Sequence, residues 1–536
     1  MSATTVKKPT TVKKPTTVNK PPRTKFYLII VIMVLFLIGS IYQTDATLSK
    51  LVTGTPEILK FIGEMFPPDW LFFADIWKPM AQTLQMSIIG TVVGALFAYP
   101  MALLAARNVT TSPWLYYPAR FIMNLIRTIP DLLYAALFAV LVGFGPTAGT
   151  LALIFFTFGI LSKLSYESTE AIDPGPLEAM TAVGANKLKL IRFGVLPQVA
   201  PTYLAHLLYT FEVSIRASAI LGLVGAGGIG LLLKNTLDLF RYDQSCAIVI
   251  YTLLVVVIID LVSTRFRSYL LKGSAKPMSE TRARTYKIVG WLALIALFVW
   301  SLTGLELTGF QPTTWILTKA MFTGLFHPDW AYVYIPEGED LLRSLLETLS
   351  ISYLGNFVSA IVCLPFAFWA AANMSRFRAV SGTGKLFLSV VRTIPEIIMA
   401  LIFIKAVGPN AYAGVMALGL HSVGMLGKLY AEAIENMDMG PSEAMTAVGA
   451  NIWQRMAYAV IPQVIPDFIS YTLYRFEINV RSATLLGIIG AGGIGTPLIF
   501  ALNARQWPRV GIILIGIIVT VSIIDYISGT LRKRIV

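Results

Sequence analysis

Cysteine and histidine are nearly missing from this sequence. Its two cysteines, Cys246 and Cys363, each lie in an apolar run, and neither is matched at the other's repeat position. That excludes a disulfide framework and a thiolate metal site. The three histidines, His206, His327 and His421, are scattered and unrepeated, and His206 and His421 read, like the methionines, as core packing. There is no H-E-x-x-H, no nucleophile elbow and no Walker A lysine motif, so the sequence offers no catalytic centre. Charge is scarce as well. Charged residues make up 13% of the chain, against about a quarter in a soluble domain.

What fills the chain instead is apolar: 56% of residues are hydrophobic and the mean hydropathy is +0.70. The apolar residues come in runs long enough to span a hydrocarbon core of roughly 30 Å, which makes this a polytopic membrane protein. The formal net charge of +14 does not indicate nucleic acid. The lysines and arginines sit in the N-terminal tail and in alternate loops, as the positive-inside rule requires.

Residues 4–21 repeat T-T-V-K-K-P almost three times. With nothing to bury, residues 1–25 are expected to form a disordered basic tail on the cytoplasmic side. Apolar spans follow at about 26–41, 82–105, 130–144, 148–164, 195–216 and 244–264. The segment over 45–80 is richer in acid (Asp45, Glu57, Glu64, Asp69, Asp75) and suits the outer side. Basic residues after the second, fourth and sixth spans fit one threading, with both ends of this half in the cytoplasm. Arg127 and Arg392 read as positive-inside residues beside a helix break. A linker over 268–283 leads to further spans at about 285–303, 345–370, 395–408, 412–427, 460–481 and 509–529.

The second half repeats the first. Adding 265 maps Thr83 to Thr348, Gly90 to Gly355, Asn108 to Asn373, Arg127-Thr-Ile-Pro130 to Arg392-Thr-Ile-Pro395 and Asp260 to Asp525. The expected fold is an all-α membrane protein of about twelve transmembrane helices, arranged as two parallel six-helix repeats over 26–267 and 284–536.

One polar island breaks each apolar half. E-A-M-T-A-V-G-A-N occurs letter for letter at 178–186 and 443–451, followed by L-P-Q-V-A-P at 196–201 and I-P-Q-V-I-P at 461–466. Glu167, Glu170, Asp173 and Glu178 cannot sit in lipid. Leu177, Met180, Val183 or Gly184, Leu188 and Ile191 recur at helical spacing. Pro174 and Pro176 suit a first turn, and Gly184 permits a sharp break. A surface helix without a partner needs no such duplication, so the island reads as a docking surface.

Four further features invite a reading. G-A-G-G-I-G at 225–230 and again at 490–495 satisfies a dinucleotide fingerprint by letter. A membrane span precedes it and no acidic residue stands about twenty positions on, so a Rossmann site is rejected. Gly225, Gly227, Gly490 and Gly492 are read as an outer gate or pathway segment. Glu212 and Arg216, matched by Glu477 and Arg481, stand four apart and can pair along one helix. Alternatively Arg216 and Arg481, with Ser218, flank the path of an oxyanion, which guanidinium geometry suits.

The residues Glu178-Ala179-Met and Gly184, then Leu196-Pro197, resemble the E-A-A loop of type I ABC importer permeases. Glu443-Ala444-Met, Gly449 and Ile461-Pro462 form the second copy. The stretches 427–445, 195–201 and 481–495 resemble more closely the phosphonate-type permeases, and the chain looks like two of them fused. The resemblance implies the type I (MetI-like) transmembrane fold, no cofactor on this chain, and ATP and Mg²⁺ on two copies of a partner ATPase. That ATPase would dock on Glu178, Ala179, Gly184, Pro197, Glu443, Ala444, Gly449 and Pro462. It further implies an extracytoplasmic binding protein, a plasma-membrane location with both termini cytoplasmic, and phosphonate, phosphate or phosphite as cargo. Outside that resemblance, an ATPase-independent secondary transporter or channel with two parallel halves remains open. Glu212 and Glu477 would be its only plausible coupling carboxylates.

Overall fold

The computed structural model describes residues 23–272, 280–306, 312–375 and 377–535. Most of the expected tail and part of the expected linker lie outside the described residues. Those described form helices, turns and loops, with no strand among them. The first half runs α1 (Arg23–Thr44), α2 (Leu48–Met65), α3 (Phe73–Ala105), α4 (Pro113–Thr128) and α5 (Asp131–Val142). It continues through α6 (Pro146–Glu170), α7 (Gly175–Ala182), α8 (Lys187–Leu221), α9 (Gly228–Asp238) and α10 (Tyr242–Lys272). The second half follows the same order. It comprises α11 (Glu280–Gly304), α12 (Pro312–Phe326), α13 (Leu341–Ala370), α14 (Arg378–Thr393), α15 (Glu396–Val407), α16 (Ala411–Asn436), α17 (Gly440–Ala447), α18 (452–488), α19 (Gly495–Asn503) and α20 (Trp507–Ile535). The bounds of α14, α15 and α17 are those of α4, α5 and α7 plus 265.

Six of these helices are long and apolar enough to cross a membrane, or up to nine if each bent pair is one span. The expected span over 130–144 is one arm of such a pair. α4 and α5 meet at 87°, and α14 and α15 at 80°. The cause is the Thr-Ile-Pro turn. Ile129 and Ile394, each before a proline, take extended backbone, and Pro130 and Pro395 open the next helix without an N–H to donate. The segment over 45–80, expected on the outer side, is likewise largely helical, because it contains α2 and the start of α3.

Packing within each half rests on small residues. α3 lies along α6 and α13 along α16. A Cβ at Gly94 would come 2.8 Å from the Thr157 side chain, and one at Gly355 would come 3.0 Å from the Val415 carbonyl oxygen. Backbones this close gain dispersion contacts that lipid cannot supply.

The halves exchange their first helices. α1 packs on α13 and α16 of the other half, and α11 packs on α3. The Tyr353 hydroxyl donates to the Met33 carbonyl at 3.2 Å, and Gln85 donates to the Trp300 carbonyl at 3.4 Å. α2 bridges α15 and α10, and α12 bridges α5 and α20. The main apolar cluster accordingly draws Met86, Leu132 and Leu153 from the first half and Ile351, Ile397 and Leu418 from the second. One core holds the two repeats together.

Candidate functional site: two polar loops and a charged interior

The polar island folds in the same way in both copies. Asp173 accepts a bond from Gly175 N at 3.0 Å, and Asp438 from Gly440 N at 2.9 Å, setting up α7 and α17. Pro176 and Pro441 fall in the first turn, where a missing N–H costs nothing. Leu177 is buried among Val195, Val199 and Tyr203. Both helices stop where Gly184 and Gly449 take φ of +73° and +79°, values a side chain resists. The expected single amphipathic helix is therefore two pieces. Asn186 caps the second piece by accepting from Lys189 N at 2.9 Å, and Asn451 forms a capping box with Gln454. The break changes which face is presented: Val183 and Leu188 are exposed, as are Val448, Ile452 and Trp453. Glu178, Ala179, Gly184 and Pro197 are exposed too, as are Glu443, Ala444, Gly449 and Pro462.

Two clamps hold each island. In the first, the glutamine of the Pro-Gln pair reaches back. Gln198 accepts from Asp173 N at 3.2 Å and donates to Gly194 O at 2.9 Å, while Gln463 donates to Asp438 O at 3.1 Å and Ala459 O at 2.7 Å. In the second, a glutamate near the start of the island binds the turn after α3 or α13. Glu170 accepts from Arg107 N at 2.9 Å and pairs with Arg120 at 2.7 Å. Glu435 accepts from Ala372 N at 2.7 Å and pairs with Lys385 at 2.8 Å. Asn108 and Asn373 add bonds to Thr169 O and Ile434 O at 2.5 and 2.6 Å. A force applied to α7 or α17 therefore reaches α3, α4 and α8, or their counterparts. Replacing Gln198 and Gln463 together by alanine is expected to lower uptake roughly three- to tenfold, equivalent to about 1 kcal/mol of lost coupling in total. Membrane abundance should be unchanged, which immunoblotting beside an uptake assay checks.

Deeper in, the repeated Glu–Arg pairs are formed along their helices: Arg216 with Glu212 at 2.6 Å, and Arg481 with Glu477 at 3.0 Å. Neighbouring helices add Arg267 to Glu212 at 3.4 Å and Arg532 to Glu477 at 2.9 Å. Beyond that the copies differ. Asp525 takes Arg481 at 2.9 Å and also Arg127 of the first half at 2.9 Å, and Arg127 lies 3.9 Å from Glu477. Arg127 therefore ties the halves together instead of merely flanking a break. Its counterpart Arg392 makes no ion pair among the described residues, and its buried Nε has no partner. Ser218 is buried with its hydroxyl unpaired.

The glycine segments turn between α8 and α9 and between α18 and α19. Gly225 and Gly227 have φ of +85° and +78°, and Gly490 and Gly492 have +89° and +79°. The helix that follows is capped from α3 or α13. Gly228 N donates to Gln82 at 2.7 Å, Ile229 N to Thr83 at 2.8 Å and Ile494 N to Thr348 at 2.8 Å. Gly225, Phe144 and Lys234 of the first half face Ile488, Ile489, Asn503 and Arg505 of the second across a cavity of about 1080 Å³.

The family described as "Binding-protein-dependent transport system inner membrane component" matches residues 98–275 and again 363–536. The chain belongs to that family. It is a transport subunit of a membrane, and its two matched stretches are the two repeats. It is similar to the phosphate-import permease protein PhnE of Mycolicibacterium smegmatis, at 33% identity over 93% of this chain and 93% of that one. It is also similar to the putative phosphite transport system permease protein HtxC of Stutzerimonas stutzeri, at 38% identity over 48% of this chain and 92% of the relative. Among solved structures, a chain of the inward-facing MetNI methionine ABC transporter aligns at 22% identity and TM-score 0.34, over 38% of this chain and 98% of that one.

Sequence reading of this permease missed three groups: the glutamine clamp, the role of Glu170 and Glu435, and the pairing of Arg127. The offset of 265 carried a signal for the first two, because each is a polar residue kept at both positions. It carried none for the third, because the same letters stand at both positions and only the fold makes Arg127, and not Arg392, pair across the halves. His421 was read as packing, but its ring lies 3.1 Å from the Ile394 carbonyl and 4.0 Å from Glu396. His206 likewise bonds the Ser168 hydroxyl, at 2.8 Å.

Proposed function

We propose that this permease imports a phosphorus oxyanion, phosphonate or its relatives phosphate and phosphite, using ATP and Mg²⁺ on two copies of a separate ATPase. The observation that carries the reading is the pair of matching exposed helices α7 and α17, each clamped to the transmembrane bundle. Each supplies one docking point, built on Glu178, Ala179, Gly184 and Pro197 or on Glu443, Ala444, Gly449 and Pro462. Closure of the ATPase dimer moves both points and switches the bundle between inward and outward access. A binding protein outside the cell delivers cargo toward the glycine segments (Gly225, Gly227, Gly490 and Gly492), with Arg216, Ser218 and Arg481 along the path inward. The basic loops keep both termini and both docking helices cytoplasmic. The cargo class rests on the relatives named for phosphate and phosphite transport and on arginines in the interior.

The test is reconstitution with the ATPase and the binding protein, followed by an uptake panel of phosphate, phosphite and methylphosphonate. Uptake of at least one is expected, and uptake of none overturns the cargo. Uptake without the ATPase overturns the mechanism in favour of a secondary transporter. The Glu178→Ala/Glu443→Ala double variant is expected to lose about tenfold in uptake and in ATPase retention. The Arg216→Ala/Arg481→Ala double variant is expected to lose uptake while retaining the ATPase, and unchanged uptake would remove these arginines from the path.

A further inference from the structure

The repeat builds two equivalent turns where the halves meet, Thr128–Asp131 and Thr393–Glu396. Their acidic residues, Asp131 and Glu396, feel each other's charge across the seam. The surroundings of the two turns are not equivalent. At 265 below His421 and Arg475 stand Phe156 and Thr210. Only the second-half turn therefore carries an added cation and an imidazole.

Arg475 lies on α18 and is buried at 3% exposure. Its Nε donates to the Ser422 hydroxyl at 2.9 Å, and Nη1 lies against the Met425 sulfur at 3.0 Å. Nη2 has no acceptor. Glu396 and Tyr474 act on it electrostatically, but Arg475 forms no ion pair among the described residues. A buried guanidinium with one terminal nitrogen unpaired is costly to keep unless a partner arrives. Around the same turn, His421 feels the charges of Arg475, Arg216 and Arg392 together. Arg216 and residues 393–395 line a cavity of about 30 Å³ at the seam. The mirrored turn has no such surplus, because Asp525 holds both Arg127 and Arg481.

We propose that Arg475, with Arg392 directly before the turn in the chain, forms a one-sided oxyanion site at the Thr393–Glu396 turn, present in the second half alone. This rests on the reading that the cargo is a phosphorus oxyanion. Nη2 of Arg475 is free to donate to one oxygen of a tetrahedral anion, and Nη1, held only by the weak sulfur contact, can turn to a second. Ser422 holds its Nε and is itself fixed, because its hydroxyl donates to Asn479 at 3.1 Å. The arginine is thus oriented before the anion arrives.

The experiment compares Arg475→Met, Arg475→Gln and Arg475→Lys in the full chain, reconstituted with ATPase and binding protein. The probes are ³²P-phosphate, phosphite and methylphosphonate. Met and Gln are expected to cut the maximal uptake rate at least about tenfold, with membrane abundance and ATPase retention unchanged. Lys is expected to restore part of the rate with an altered ratio of phosphate to methylphosphonate, since a point charge does not reproduce the fork. Thr210→Ala, at the mirrored position, is expected to leave uptake unchanged. A purely structural arginine gives the opposite result. Methionine would then match or exceed the unaltered chain, because an apolar isostere relieves a buried unpaired charge, and that outcome overturns the site. Failure of the unaltered chain to take up any of the three anions overturns the cargo reading instead.

Discussion

Alanine at Gly230 or Gly495 is expected to abolish accumulation of folded permease. Each glycine sits in the first turn of a short helix, α9 or α19, directly beneath the end of the long helix before it. A Cβ at Gly230 would overlap the Ala219 carbonyl oxygen and come 2.9 Å from the carbonyl carbon, with Gly222 Cα at 3.0 Å. At Gly495 it would overlap the Thr484 carbonyl oxygen and lie 2.9 Å from Gly487 Cα. These are backbone atoms, so no rotamer change relieves the clash. The broken helix itself must move, and the caps from Gln82, Thr83 and Thr348 go with it. Overpacking a core that can adjust costs about 1–3 kcal/mol, and a clash against fixed backbone lies at or beyond the top of that range. Gly39→Ala and Gly63→Ala provide the control, since a Cβ at either meets nothing within 4 Å. Fluorescence-detected size exclusion of detergent extracts should give a monodisperse peak for the controls and none for Gly230→Ala or Gly495→Ala. A normal peak for either would mean that the segment shifts freely, which is incompatible with a gate built on tight backbone contact.

How much of this was legible beforehand follows from what a linear sequence can encode. The repeat was legible because identical letters at a fixed offset require no tertiary knowledge. The two polar loops were legible because polar residues in an apolar chain declare themselves, and Gly184 and Gly449 stop their helices as their backbone freedom allows. The Thr-Ile-Pro bend was half legible: proline announced a break, but the segment before it, 113–128, was too amphipathic to register as part of a span. α2 was hidden because Asp45, Glu57 and Glu64 placed the segment on the outer side without marking a helix, while its other face packs on α15 and α10. The exchange of α1 and α11 left no trace, because either half offers a first helix the same apolar surface. The asymmetry of the interior was hidden for the opposite reason. Reading by repeat looks for what matches, and Arg475 and His421 matter because nothing matches them.

That asymmetry gives the last expected result. Asp525→Ala should destabilise the permease strongly while Asp260→Ala, its repeat equivalent, should not. Asp525 accepts from Arg481 at 2.9 Å and from Arg127, across the halves, at 2.9 Å, with side chains 17–22% exposed. Removing it leaves Arg127 with only Glu477 at 3.9 Å. Stripping one partner from a buried pair costs about 3–5 kcal/mol, and the residual exposure here brings that to about 2–4 kcal/mol. Asp260 makes no ion pair among the described residues. It lies against the like-charged Glu212, so its loss should fall within about 0.5 kcal/mol. Thermal unfolding of the purified permease in detergent tests the difference, which should appear as a lower melting temperature for Asp525→Ala alone. Arg127→Gln combined with Asp525→Asn should recover part of the loss, because both buried charges leave together. Equal shifts for the two aspartates would mean that Arg392 reaches Asp260 as Arg127 reaches Asp525. The halves would then be latched on both sides, and Arg392 would be spent in an ion pair instead of free to meet an anion.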